Sequence, residues 1–199
     1  MAKTKDIQLP QPKTKSEVSL EEAIAKRRSV RNFIAKDLTE EQISQLLWAA
    51  QGITAKTGGH NLRTAPSAGA LYPMELYLLS KDGLFHYLPE GHKLEVISDK
   101  DLRENLSSAA LGQAPVRDAA VDIVICGISS RITGKYGERG IKYMDIEAGH
   151  IAQNIHLEAV ALGLGSVPVG AFNDKEADSV LDLPSSCHVL YIIPVGHIK

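Results

Sequence analysis

The chain has 199 residues, enough for one domain with a substantial core. Apolar residues make up 44% and charged residues 23%, an ordinary globular balance. Its 22 Lys and Arg against 24 Asp and Glu leave a formal charge of -2, which argues against a protein that coats nucleic acid, since phosphate backbones demand an excess of positive charge.

Cys126 and Cys187 are the only cysteines, far apart and each beside apolar residues. Their number excludes a zinc finger or a disulfide framework and suits a reducing cytoplasm, the location expected here. No apolar run opens the chain as a signal peptide would, and no stretch approaches ~18 uninterrupted apolar residues.

Residues 1–18, with Pro10 and Pro12 among lysines, read as an extended N-terminal arm lying on the surface or reaching a partner subunit. The folded domain is expected over 19–199. Ser19-Leu20-Glu21-Glu22 is a capping box, so a helix is predicted from Leu20 to about Arg27. Thr39-Glu40-Glu41-Gln42 opens a second, with Ile43, Leu46, Leu47 and Ala50 on one face and its close near Gly52. Thr54 to Pro73, rich in Gly, Ala, Thr and Pro, reads as one long loop. Strands follow at Met74–Ser80, Leu84–Leu88 and Leu94–Ile97, joined by tight turns. A helix is predicted from about Asp99 to Ala110.

AVDIVICGI, residues 120–128, suits a central strand buried on both faces. The longest helix is predicted over roughly 140–162, with Met144, Ala148, Ile151, Ala152, Ile155, Ala159 and Leu162 in one stripe. Asn173 caps a short helix reaching about Leu181, and Val189–Pro194 is the last strand. Hairpins first and single strands between helices later make an α+β pattern.

Three stretches bear on chemistry. In KRRSVRNF (26–33), Arg27 and Arg28 end the first helix, and an extended continuation puts Ser29 and Arg31 on one side. Guanidinium forks beside a hydroxyl suit a terminal phosphate; a solvated helix end is the plainer explanation. In PSAGALYP (66–73) the near absence of bulk lets backbone approach a flat ligand, or lets two chain segments cross. GLGSVPVGAF (163–172) offers peptide amides as its tools, or is simply a helix end and a turn.

Together with KY-x-x-x-E-A-G-H-x-x-Q-N in the long helix and PVG near the end, these pieces resemble the FMN-dependent nitroreductase family, and more closely its SagB-type dehydrogenase branch. The resemblance implies a central, mostly antiparallel sheet flanked by helices, in an intertwined homodimer with FMN in grooves between subunits. The long helix is the natural interface. Arg27, Ser29 and Arg31 are implied to hold the FMN phosphate and ribityl chain, with Arg28 contributing through its backbone. Pro66, Ser67, Ala68, Gly69 and Leu71 would lie against the flavin. Pro168, Val169, Gly170 and Ala171 would cover the other side of the ring, with the N–H of Gly170 or Ala171 donating to flavin N5. His197 and Lys199 are the candidates to complete the phosphate site.

The implied activity is ping-pong hydride transfer from NAD(P)H through N5 to a small organic acceptor. The flavin carries the electron chemistry, so no side-chain catalytic group is assigned; Tyr72 or water is left as the proton donor. An azoline dehydrogenase acting on peptide heterocycles is one alternative. Others are a flavin-binding protein without turnover and a phosphopeptide or nucleotide module using Arg27 and Arg31.

Among the seven histidines, His86 and His92 flank a hairpin turn near Glu90 and Glu95, which turn polarity explains as well as a metal does. Glu147 and His150, three apart, are expected to pair on the helix surface or at a dimer contact. Trp48 is expected in the core or an interface. Gln113 resembles a position from which a partner subunit approaches the flavin.

Overall fold

A computed structural model describes residues 6–199. Seven strands form one antiparallel sheet in the order β1-β6-β5-β4-β7-β9-β8: β1 Asp6–Gln8, β4 Met74–Ser80, β5 Gly83–Leu88, β6 Lys93–Ser98, β7 Val121–Gly127, β8 Leu164–Ser166 and β9 His188–His197. At its centre Leu76 pairs with Ile125 of β7, and Ile123 with Ile193 of β9. Every residue of β7 is buried, as expected of a strand covered on both faces.

Alternation along the strands divides the core. Leu76, Leu78, Ile123, Ile125 and Ile193 face one layer, which contains α2 (Glu40–Gln51) and α6 (Arg139–Ala161). Tyr77, Leu79, Val124, Cys126 and Ile192 face the other, with α3 (Arg103–Ala109), α4 (Ala114–Asp118) and α7 (Asp174–Val180). The stripe on α6 is buried as its three-four spacing requires, with Ile151, Ile155 and Ala159 fully enclosed.

Side-chain caps set the helix starts. Ser19 accepts from Glu22 N ahead of α1 (Leu20–Lys26), and Thr39 and Gln42 form a complete capping box on α2. Arg28 Nη1 donates to the carbonyls of Ala25 and Arg27 at 3.0 and 2.7 Å, satisfying the C-terminal end of α1.

The structure differs from expectation in several places. Residues 54–73 are not one loop: β2 (Ile53–Thr57) and β3 (His60–Arg63) form a separate hairpin. Its turn residues Gly58 and Gly59 have φ of 57° and 81°, the conformation a two-residue hairpin turn needs. α3 starts at Arg103 because Asp101 turns its carboxylate onto Arg103 N, at 3.1 Å, rather than continuing a helix. β8, α4 and α5 (Ser130–Tyr136) are additional elements. The predicted arm begins among residues 1–5, outside the described residues; from Asp6 to Gln8 it pairs with β6 of its own sheet.

Candidate functional site

The arginine segment is held by the far edge of the sheet. Ser29 bridges Ser166 of β8, and Val30 N donates to the Ser166 carbonyl at 2.9 Å. Phe33 bridges Ile198. Gly165 makes this approach feasible: a Cβ there would lie 2.8 Å from the Val30 side chain and 3.1 Å from Ile198.

Beneath the bridge sits His156 of α6, 5% exposed, with Nδ1 2.7 Å from Ser166 Oγ. Burial, helped by the charge of nearby Arg27, lowers its pKa to about 4. It therefore stays neutral and fixes Ser166 by a buried hydrogen bond. Arg27 is half-buried and Arg31 exposed; neither makes an ion pair among the described residues. Two uncompensated guanidinium groups remain for an anion, whereas that of Arg28 is engaged on α1.

From Ser166 the chain runs back along β9. Val169 and Ile192 exchange backbone hydrogen bonds at 2.9 and 3.1 Å. Pro168 is half-buried and Val169 buried, whereas Gly170 and Ala171 are exposed, and among the described residues neither of their amides donates to another backbone group. Gly170 faces open space apart from the Tyr191 ring, which a Cβ would meet at 3.5 Å. Gln113 Nε2 donates to the Ala171 carbonyl at 2.8 Å, bracing this turn within one chain. Lys199 is exposed, and His197 Nε2 lies 3.2 Å from the Asp37 carbonyl.

The third segment lies elsewhere, before β4. Pro66 and Gly69 are exposed; Ser67, Ala68 and Leu71 are half-buried. Gly69, Ala70 and Tyr72 all have positive φ, at 64°, 53° and 47°, and left-handed non-glycine residues gather at functional sites. Ser67 Oγ accepts from Tyr72 N at 2.9 Å. Arg63 donates its N–H to the Tyr72 hydroxyl at 3.0 Å and lays its guanidinium 4.5 Å from the Tyr72 ring centroid. Tyr72 is thus a structural anchor. A Cβ on Gly69 would meet Tyr136 Oη of α5 at 2.8 Å. One chain brings residues 27–31 and 164–171 together; no hydrogen bond or bridge joins either to residues 66–73.

Three other groups depart from expectation. Glu147 does not pair with His150 on the surface: Glu147 is buried and His150 exposed. Its spacing of four from Ile151 and eight from Ile155 puts it on the buried stripe, a signal legible in the sequence. His86 bonds Glu75 at 2.7 Å, and His92 meets Ser44 Oγ at 2.7 Å and the Tyr87 hydroxyl at 2.9 Å. Trp48 is half-buried beside a cavity of about 770 Å³, which is lined by arm residues including Lys13 and Lys15 and by none of the predicted cofactor residues.

Residues 24–197 match the profile of the Nitroreductase family. The chain belongs to that family. It is 40% identical to a candidate nitroreductase of Methanocaldococcus jannaschii over 98% of both proteins. It is 27% identical to the microcin B17-processing protein McbC of Escherichia coli, over 76% of this chain and 60% of McbC. With the NADPH-flavin oxidoreductase of Vibrio harveyi it shares 26% over 88% of this chain and 64% of that protein. Among solved structures, a candidate nitroreductase from Ralstonia eutropha superposes with a TM-score of 0.87 at 28% identity, covering 98% of this chain and 90% of the other. The similarity to McbC agrees with the SagB-type branch read from the sequence, and the antiparallel sheet between helices is the expected fold.

Proposed function

We propose that the protein is an FMN-dependent oxidoreductase working as a homodimer. Its family membership and its similarity to a flavin oxidoreductase support the class. The observation that carries the cofactor assignment is the pair Arg27 and Arg31, cations without carboxylate partners, held on β8 by the Ser166 bridge. They fit a phosphate of about two negative charges. The amides of Gly170 and Ala171 have no backbone acceptor among the described residues and offer N–H donors to a ring atom. Residues 66–73 lie apart in one chain, so the reading joins them to the other segments across a subunit groove. The domain is taken as 19–199 with residues 1–18 as an arm, and the cytoplasm as its place on the count of only two cysteines.

Bound there, FMN would supply two-electron chemistry between NAD(P)H and a small organic acceptor, each using the groove in turn. The chain's own part is to hold the phosphate through Arg27, Ser29 and Arg31, present the amide donors, and cover the ring with Ala68, Gly69 and Leu71. The similarity to McbC favours a second reading, a SagB-type dehydrogenase acting on peptide heterocycles.

The test is an absorption spectrum of the purified protein followed by anaerobic NADH or NADPH. A yellow protein that bleaches supports the nitroreductase-like reading. A yellow protein that bleaches only with a reduced peptide heterocycle supports the second. One that stays yellow with all of them is a binding protein without turnover, and a colourless protein that gains no thermal stability from FMN overturns the assignment.

A further inference from the structure

Beneath residues 66–73 lies a carboxyl without a partner. Glu147 is 2% exposed, and among the described residues neither of its oxygens has a hydrogen-bond partner. The Ser67 hydroxyl, the Arg63 guanidinium and the Gln51 carboxamide surround it. Gln51 Nε2, Arg63 Nε and Thr64 Oγ1 are buried and unpartnered as well. Five of the eight such atoms among the described residues thus belong to one neighbourhood, and a concentration of this kind calls for a physical reason. What is satisfied there serves the left-handed loop: Arg63 Nη1 donates to Gln51 Oε1 at 3.0 Å, Arg63 N–H to the Tyr72 hydroxyl, and Tyr72 N–H to Ser67 Oγ. Ser67 and Arg63, the supports of the loop, are both among the groups that act on Glu147.

We propose that Glu147 is a positioning residue whose protonation is coupled to occupation of the loop above it, so that binding a flat aromatic ligand on residues 66–71 takes up at most one proton, the fraction set by pH. The neutral carboxyl leaves Arg63 on Gln51 and Tyr72, and the loop keeps its shape. The ionised carboxylate competes for the guanidinium and loosens those supports. A ligand covering the loop excludes water, which disfavours the ionised form further. The balance is carboxylate plus ligand plus a proton from solvent giving carboxylic acid in the complex.

Burial pushes the Glu147 pKa up to about 7, with Ser67, Arg63 and Gln51 pulling against it. Arg63 is the charged side chain that acts on Glu147 directly; burial depresses it, and Glu75, Tyr72 and Arg131 act on it in turn. From α2 the facing group is the uncharged Gln51. Where β8 meets α6, Arg27 and His156 gather around Ser166, more than two helical turns further on. Because the complex has the higher pKa, affinity is greatest below about pH 7 and falls as pH rises through it, by up to about tenfold per unit.

This inference rests on the flavin reading above. The test is calorimetric titration of the flavin-free protein with riboflavin and with FMN between about pH 6 and 8, in buffers of different ionisation enthalpy. Riboflavin is the cleaner probe because a phosphate titrates near pH 6 itself. Wild-type protein should take up a fraction of a proton that is largest near neutrality. Glu147→Gln should lose that uptake while binding riboflavin at pH 6 within about threefold of wild type, since the amide mimics the neutral acid. No uptake in wild-type protein, or the same uptake in Glu147→Gln, overturns the proposal. Thermal melting of the flavin-free proteins against pH is the second measurement. If neither flavin binds, the cofactor reading falls; an unchanged melting profile in Glu147→Gln sinks the role of Glu147 whether or not flavin binds.

Discussion

The buried face of α6 holds one titratable group under the arginine segment and one under the left-handed loop, and treats them differently. His156 has Ser166 as a partner and is pushed down to about 4. Glu147 has no partner and is pushed up to about 7. The same force, removal from water, disfavours charge in both. An imidazole thereby leaves the neutral range and a carboxyl enters it. The phosphate end of the proposed site is therefore fixed across ordinary pH, while the loop end responds to it.

The largest effect should come from the fixed end. Arg27→Ala and Arg31→Ala should each weaken FMN binding by ~1.5–3 kcal/mol, the range of charge-assisted hydrogen bonds. Riboflavin, which has no phosphate, should bind nearly unchanged; equal losses for both flavins would show that these arginines do not hold the phosphate. His156→Leu comes next. It leaves the Ser166 hydroxyl unpaired and should lower unfolding stability by about 1–3 kcal/mol at neutral pH, read by denaturant titration. A loss of FMN affinity should accompany it, because Ser166 holds the segment that carries Arg31.

Melting profiles sharpen the contrast through opposite slopes. The folded pKa of His156 is depressed, so its contribution is complete above about 6.5 and is lost as pH falls toward about 4. The folded pKa of Glu147 is raised, so its contribution is complete below about 4.5 and is lost as pH rises through about 7. Replacing His156 by Leu should flatten the acid side, and replacing Glu147 by Gln the neutral side. The smallest difference should be between wild type and Glu147→Gln below about pH 4.5, where the carboxyl is neutral in the folded and unfolded chain alike.

The sequence disclosed what local chemistry decides. Ser19, Thr39 and Asn173 announced their helices because a side chain near its own backbone decides a cap. The stripe on α6 and the apolar run of β7 announced a helix and a central strand by period and length. The hairpin at Ile53–Arg63 was obscured because its strands are largely exposed and polar, so they lack the alternation of a half-buried strand; the pair Gly58-Gly59 was its one cue. β8 is three residues long and exists through its pairing with β9, which no local pattern encodes. Arg27 and Arg31 were visible as charge, but the Ser29–Ser166 bridge beneath them joins residues far apart in sequence. Glu147 was misplaced by its polarity, although its spacing from Ile151 and Ile155 put it inside.

The turn at residues 69–72 has a kinetic consequence. Three of its four residues are wound left-handed, and the hydrogen bonds from Tyr72 N to Ser67 Oγ and from Arg63 N to the Tyr72 hydroxyl hold that shape from within the chain. A molecule arriving there meets a preorganised plate and forgoes the ordering entropy a floppy segment would demand. Capture should then proceed as one fast encounter step, with no slow isomerisation trailing behind it.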